Sequence, residues 1–406
     1  MILFGHPSGN PNSHNAAAAH FEAGRLEAFC VPWMPSAMTL QVLEHSGPLQ
    51  HMGRRLGRRR FPPLAGAPTI QGRLGEMRRL IARAWGRGDE ALSYEANDWL
   101  MQTMRRECGR GRVSAVHAYE DCSLWQFQEA KHLGKACIYD MPIGYYPAWE
   151  QAQTELAQRF DDWLPAGGLP SARYVRPRQK HQEMELADLV LAPSSFVMET
   201  IRKFHPNKEV ALAPYGVDLE FWGLENQESR RHEGSEVLRF VYAGQISLRK
   251  GIPLLIEAWE KAGLRSAELQ LVGSWHLSDG KRASLPRGVT HVPECSRERL
   301  RDRYRQADVF VLPSFFEGFG LVLLEAMAGG LPAITSSATA GFDVITQACG
   351  RVLPTGDVEA LVEALRWFDR HRDRLAAMGA AARERADQCT WERYRQSVAG
   401  ATAAFV

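Results

Sequence analysis

The chain has 406 residues, 45% of them hydrophobic and 24% charged, with a formal net charge of +2. That length exceeds one ordinary core and points to two domains of about 200 residues each. The near-neutral balance argues against general nucleic-acid binding, and the ordinary composition excludes disordered and fibrous classes.

The N-terminus, Met-Ile-Leu-Phe-Gly-His-Pro, enters a strand directly, without a charged region ahead of a long apolar stretch. No later run approaches the about 18 apolar residues of a membrane span, so a cytoplasmic location is expected. Seven widely spaced cysteines without a Cys-x-x-Cys indicate reduced, mostly buried thiols rather than a zinc site or disulfide framework.

In the first half, short apolar runs at Met1 to Phe4, Leu26 to Val31, Val113 to Val116, Ala136 to Tyr139 and Leu189 to Ala192 alternate with helical stretches. Such alternation predicts a parallel sheet covered on both faces. Between the first two runs lies a glycine- and asparagine-rich loop, Gly5 to Asn15, leading to a helix over Ala16 to Leu26. A loop at the carboxyl end of a parallel strand is where ligands dock in open α/β sheets.

From Arg54 to Arg112 fourteen arginines face six acids, an excess of +8 in a chain of net charge +2. An anionic acceptor or an anionic membrane surface would exploit this excess, with Leu56 and Phe61 as apolar contacts; a merely solvated basic face is the plain alternative. Further on, His117-Ala118-Tyr119-Glu120 and Tyr139-Asp140 end neighbouring strands and should open on one cleft. Asp140 or His117 is therefore a candidate general base or hydroxyl-orienting group, although a hydrogen-bonded core histidine explains His117 equally well.

The domain boundary is expected after Pro214-Tyr215-Gly216-Val217-Asp218, near the polar stretch Glu225 to Ser235. This divides the chain into residues 1–220, 236–390 and a closing helix, 391–406. In the second half the strands are expected at Leu238 to Tyr242, Leu269 to Val272, Val289 to Val292, Val309 to Leu312, Ala333 to Thr335 and Arg351 to Leu353. Each half thus reads as a Rossmann-like unit.

After the first of these strands, Gly244-Gln245-Ile246-Ser247-Leu248-Arg249-Lys250-Gly251 leads into a helix around Leu254 to Trp259. Two adjacent cations in such a loop can offset the charge of an anionic ligand group such as a phosphate. The chain contains no Asp-x-Asp, so a metal clamp of that type has no obvious ligands and no obligatory metal cofactor is expected.

Between Pro313 and Pro332 a buried strand, a glycine turn and a helix from about Gly320 aim a helix N-terminus and two carboxylates, Glu317 and Glu325, into one cleft. Gly318 and Gly320 permit a tight turn, and the helix end adds partial positive charge for phosphate oxygens. Glu325 stands at the height of a ribose; Glu317, before the helix, faces the group being transferred. Two plainer readings compete: an amphipathic helix over Leu321 to Met327 with solvated glutamates, and a dinucleotide fingerprint that lacks its third glycine.

The full frame, Pro-Ser-Phe-Phe-Glu-Gly-Phe-Gly-Leu-Val-Leu-Leu-Glu-Ala-Met-Ala-Gly-Gly-Leu-Pro, resembles the Glu-x7-Glu segment of retaining GT-B glycosyltransferases of family four. The resemblance is strong from about Glu185 to Trp391 and weaker before it. It implies an α/β GT-B fold with two Rossmann-like domains facing across a cleft, and a helix over Trp391 to Phe405 that returns to the first domain.

It further implies that Glu317 contacts donor-sugar hydroxyls, that Glu325 binds the ribose, and that Arg249, Lys250 and the amides near Gly320 and Leu321 hold the diphosphate. The family's first-domain loop reaches the diphosphate and the acceptor, which adds Gly9 and Asn10. Two positions depart from the family pattern: Gln245 stands where an arginine is usual, and Tyr139 where a histidine is usual.

The implied activity is transfer of a hexose from a nucleotide-diphosphate sugar to a glycan or lipid-linked hydroxyl acceptor with retention. It fits surface polysaccharide, lipopolysaccharide or glycolipid synthesis, in the cytoplasm or peripherally at the inner membrane. A degenerate sugar-nucleotide binder without turnover, a glycoside hydrolase and an NAD-dependent oxidoreductase are the rival classes.

Overall fold

The computed structural model describes residues 1–45, 53, 56–57, 61–84, 90–165, 168, 176–223 and 237–406. Among these residues the strands form two separate sheets, and every pairing in both is parallel. The first contains β1 (Ile2–Gly5), β2 (Leu26–Val31), β3 (Thr69–Gln71), β4 (Ala115–Tyr119), β5 (Ala136–Asp140), β6 (Leu189–Ala192) and β7 (Val210–Leu212), in the order 3-2-1-4-5-6-7. The second contains β8 (Leu238–Ala243), β9 (Ala267–Val272), β10 (Val289–Val292), β11 (Val309–Leu312), β12 (Ala333–Ser336) and β13 (Gly350–Leu353), in the order 10-9-8-11-12-13.

The two Rossmann-like units expected from the alternating apolar runs are thus present. Their central strands β1, β6, β11 and β12 are buried along their whole length, as a sheet covered on both faces requires. The edge strands β3 and β7 have three residues each, too few to carry a periodic signal. Strand β4 begins at Ala115, two residues after its expected start, and extends through Tyr119.

Helix α1 (Pro11–Glu22) starts five residues before the expected Ala16. The Asn10 side chain accepts from the Ser13 amide at 2.8 Å, the Ser13 hydroxyl accepts from the Asn10 amide at 2.9 Å, and Pro11 opens the first turn. This reciprocal capping converts half of the expected loop into helix.

Helices α2 (Ala37–His45) and α3 (Arg73–Ala84) meet through a small core of their own, formed by Leu40, Leu43, Leu56 and Leu80. Leu56 is therefore fully buried, and Phe61 is half-buried and stacked on His14 with centroids 5.5 Å apart. Neither is the exposed apolar contact expected from the sequence. Of the fourteen arginines counted there, 54, 55, 58, 59, 60 and 87 lie outside the described residues.

Three further helices matter to the site: α4 (Tyr146–Arg159) follows β5, α5 (Pro177–Leu186) precedes β6, and α6 (Ser195–Phe204) follows it. In the second unit α7 (Ile252–Ala262) follows β8, α8 (Arg297–Gln306) follows β10 and α9 (Leu321–Ala328) follows β11.

The polar stretch expected as a linker, Glu225 to Ser235, lies outside the described residues. Just before it, the Val217 amide donates to the Cys389 carbonyl at 2.9 Å, so the chain passes between the units at two adjacent points. The closing helix α10 (Trp391–Ala401) packs along α1, with Arg395 bonded to Glu22 and Asn15 at 2.9 Å each. It ends at Ala401, followed by a short 3-10 turn over Ala403–Phe405.

Candidate functional site

The turn after β11 is built by two glycines with different tasks. Gly320 adopts φ +84°, which an L side chain rarely tolerates, and so ends the turn where α9 begins. Gly318 is needed for space: a Cβ there would lie 1.7 Å from the Pro142 carbonyl oxygen of the other unit. Leu321, the first residue of α9, is half-buried beside them.

Glu317, only 9% exposed, forms a buried ion pair with Lys250, which is also 9% exposed. The Arg249 guanidinium lies 3.6 Å from the other carboxylate oxygen and donates to the Phe316 carbonyl at 2.9 Å. The Gly318 amide adds a 3.3 Å bond to the same carboxylate. Burial alone would raise the Glu317 pKa, but Lys250 and Arg249 hold it below the ordinary carboxylate value. The structure thus joins the expected cation pair to the first glutamate. Gln245, by contrast, is exposed.

Glu325 takes no part in this cluster. Half-buried on α9, it has Arg297 at the start of α8 and Asp218 as its charged neighbours. Burial pushes its pKa up to about 7, with Arg297 pulling back and Asp218 adding to the rise. The two glutamates are therefore shifted in opposite directions, a contrast typical of carboxylates with different tasks.

On the first unit, Gly9 is half-buried in the loop after β1. His6, which the sequence reading did not single out, accepts from the Ser8 and Gly9 amides at 3.1 and 3.3 Å and shapes this loop. Asn10 spends its side-chain oxygen on capping α1.

Asp140 ends β5 and is 2% exposed, and burial raises its pKa to about 7. His117 lies 3.6 Å from Asp140 but is wholly enclosed, hydrogen-bonded to His20 at 2.8 Å and edge-on to Phe4. Burial lowers its pKa to about 3, so it stays neutral, which matches the core-histidine alternative. Tyr139, also fully buried, donates its hydroxyl to Glu183 at 3.0 Å, away from the turn.

The units touch along a seam that the sequence did not reveal. Phe316 inserts between Trp149 and Phe196, with centroids 5.3 and 5.4 Å away, and fits against Gly144. The Ser194 hydroxyl donates to the Gly318 carbonyl at 2.5 Å, and Asp343 accepts from the Ser195 amide and hydroxyl at 3.0 and 3.1 Å. Phe-Phe before a glutamate was a signal, since two adjacent aromatics at a strand end need partners.

A second polar network follows β4. Lys180 of α5 pairs with Glu120 and Asp121, each at 3.0 Å. Glu183, fully buried one turn later, accepts from the Asp121 and Ser123 amides at 2.9 Å each. These bonds hold Asp121 at φ +69°, and among the described residues it is the one non-glycine with positive φ.

Comparison with known proteins agrees with this architecture. Residues 225–385 match the family described as Glycosyl transferases group 1. A D-inositol 3-phosphate glycosyltransferase from Kribbella flavida is 30% identical over 278 residues, covering 62% of this chain and 63% of that protein. The chain spans less than two-thirds of the length of the first curated relatives it matches.

Among solved structures, sucrose-phosphate synthase from Thermosynechococcus elongatus superposes with a TM-score of 0.65 at 20% identity, over 97% of this chain and 96% of the other. Anabaena Alr3699/HepE in complex with UDP and glucose superposes at 0.60 and 16% identity, over 99% of both chains. The fold is the GT-B fold of glycosyltransferases.

Proposed function

We propose that the chain is a retaining glycosyltransferase of family four, which moves a hexose from a nucleotide-diphosphate sugar to a hydroxyl acceptor. The observation that carries this reading is the buried Glu317–Lys250–Arg249 cluster at the turn into α9. Without donor, the carboxylate and cations neutralise one another. A donor would separate them: phosphate oxygens take Lys250 and Arg249, and sugar hydroxyls take the Glu317 carboxylate. The cations then offset the charge on the leaving diphosphate, so no obligatory metal is proposed.

In this reading Glu325 accepts the ribose hydroxyls from the far side of α9, and the start of that helix, at Gly320 and Leu321, faces the phosphates. The loop holding Gly9 is assigned to the same donor, at its diphosphate end. Asp140 is assigned the acceptor side, with a pKa near neutrality suited to accepting a proton. His117 supports Asp140 from the core rather than touching substrate. The seam around Phe316 excludes water from the closed cleft and so suppresses hydrolysis.

The UDP bound by the Anabaena protein makes UDP-sugars the first donors to test. Thermal shift against UDP-, GDP- and ADP-sugars should show one class stabilising the protein, followed by turnover with a glycan or lipid-linked acceptor. Stabilisation by none of them would overturn the reading. Stabilisation without turnover across acceptors would favour the degenerate binder, for which the exposed Gln245 speaks.

Peripheral attachment to the cytoplasmic face of an anionic membrane belongs to the same proposal. Among the described residues, nine large hydrophobic side chains are exposed, and five of them (Met38, Val42, Leu74, Met77 and Ile81) sit on α2 and α3. On a helix of about 3.6 residues per turn, positions 74, 77 and 81 form one stripe, which the exposed Arg73 and Arg78 border. No described helix is long and apolar enough to cross a membrane. Vesicles with anionic lipid should sediment the protein in a salt-sensitive manner, and L74S/I81S should abolish this; equal recovery without anionic lipid would refute it.

A further inference from the structure

Three side chains outside the proposed transfer site converge as metal ligands do. His181 and Glu185, four residues apart on α5, share one helix face, and His205 caps the end of α6. His205 Nδ1 lies 3.5 Å and His181 Nε2 4.0 Å from the same oxygen of Glu185, and all three ligand atoms fall within 4.8 Å of one another. We propose that His181, Glu185 and His205 bind one divalent transition metal of the zinc class, with solvent in the fourth position.

A second observation separates this cluster from a chance meeting of surface groups. Both imidazoles use their other nitrogen on a single hydroxyl: His205 Nε2 lies 3.0 Å and His181 Nδ1 3.4 Å from Tyr145 Oη. Tyr145 is 2% exposed and its backbone amide is fixed by the Thr200 hydroxyl at 2.9 Å, so it is a rigid anchor. With an ion bound, this phenol oxygen would accept both ring N–H groups, and His205 Nδ1 and His181 Nε2, which face Glu185, would supply the lone pairs. This is the outer-shell arrangement that orients ligating histidines.

The dimensions fit the ion. Tetrahedral zinc with bonds of about 2.0–2.1 Å places its ligand atoms about 3.4 Å apart. The observed spacing needs closure of at most about 1.5 Å, within reach because His181 and Glu185 have side chains 63% and 58% exposed. Two imidazoles and one carboxylate suit zinc better than magnesium or calcium, which take oxygen ligands. Lys208, whose amine bonds the Glu185 and Ala187 carbonyls, is the nearby cation that tempers affinity.

The consequence reaches the seam. Tyr145 follows Gly144, against which Phe316 packs, so an ion held by these histidines would tie the ends of α5 and α6 to the loop that receives the other unit. The ion is a clamp on that loop, not a participant in transfer, and the proposal stands whether or not the donor assignment does.

The test is calorimetric titration of the chelator-treated, tag-free full chain with Zn2+. One equivalent per chain is expected, with a rise in melting temperature, and Co2+ should show tetrahedral d–d absorption. His181→Ala, His205→Ala and the surface variant Glu185→Gln should each lose that equivalent, and Tyr145→Phe should weaken it about 10-fold. Absence of saturable binding in the wild type would overturn the proposal. So would a stoichiometry that none of the three ligand variants changes, since the ion would then lie elsewhere.

Discussion

Replacing Lys250 by methionine keeps most of the side chain's volume but removes its charge from Glu317. The carboxylate, 9% exposed, is left with Arg249 at 3.6 Å, the Gly318 amide at 3.3 Å and the Ser314 hydroxyl at 3.5 Å. Breaking a buried pair from one side costs about 3–5 kcal/mol, since a charge stays behind without its main partner. Loss of a cation that stabilises a leaving diphosphate costs about 2.7–4 kcal/mol in the barrier, or about 10²–10³ in turnover.

The two effects separate in the double variant Lys250→Met/Glu317→Gln, which removes both charges. Denaturant unfolding should show most of the lost stability recovered, while transfer from the preferred sugar nucleotide stays at or below the level of the single variant. Near-wild-type turnover in the single variant, or recovery of turnover together with stability in the double, would refute the reasoning and make the pair purely structural.

Two more outcomes can be checked directly. The rise of the Asp140 pKa from 3.8 to about 7 means that the folded state holds this proton more tightly, so its stabilising contribution is full below about pH 4 and is lost as pH climbs through 7. Asparagine there should flatten the decline in melting temperature between about pH 4 and 7, worth up to about 4 kcal/mol, and an unchanged slope would contradict this. Gly318→Ala must push the units apart, since its Cβ would sit 1.7 Å from Pro142 oxygen. Turnover should fall about 100-fold with a larger radius in solution scattering, and no change in either would show that closure is not required.

The sheets were legible because buried parallel strands are continuous apolar runs; Val309–Leu312 and Leu189–Ala192 lie where the sequence puts them. The start of α1 was not, because Asn10 and Ser13 look like loop residues until their mutual bonds are seen. The meeting of Glu317 with Lys250 follows from strand order, as β8 and β11 are neighbours although 67 residues separate the two side chains. Where Phe316, Ser194 and Asp343 find partners depends on how two units face each other, which no local pattern encodes. His117 stayed open between two readings for a related reason: a strand-end histidine looks the same whether it opens on a cleft or closes on His20.

The embrace of α1 by α10 also bears on synthesis. The first sheet can form as soon as residue 212 has left the ribosome, but the flank of α1 stays bare until residues 391–401 emerge. During that interval Asn15 and Glu22 lack the arginine they later hold, and the nascent first half is at its most vulnerable to aggregation and to proteases. A chain terminated early, at residue 390, would remain in that condition permanently.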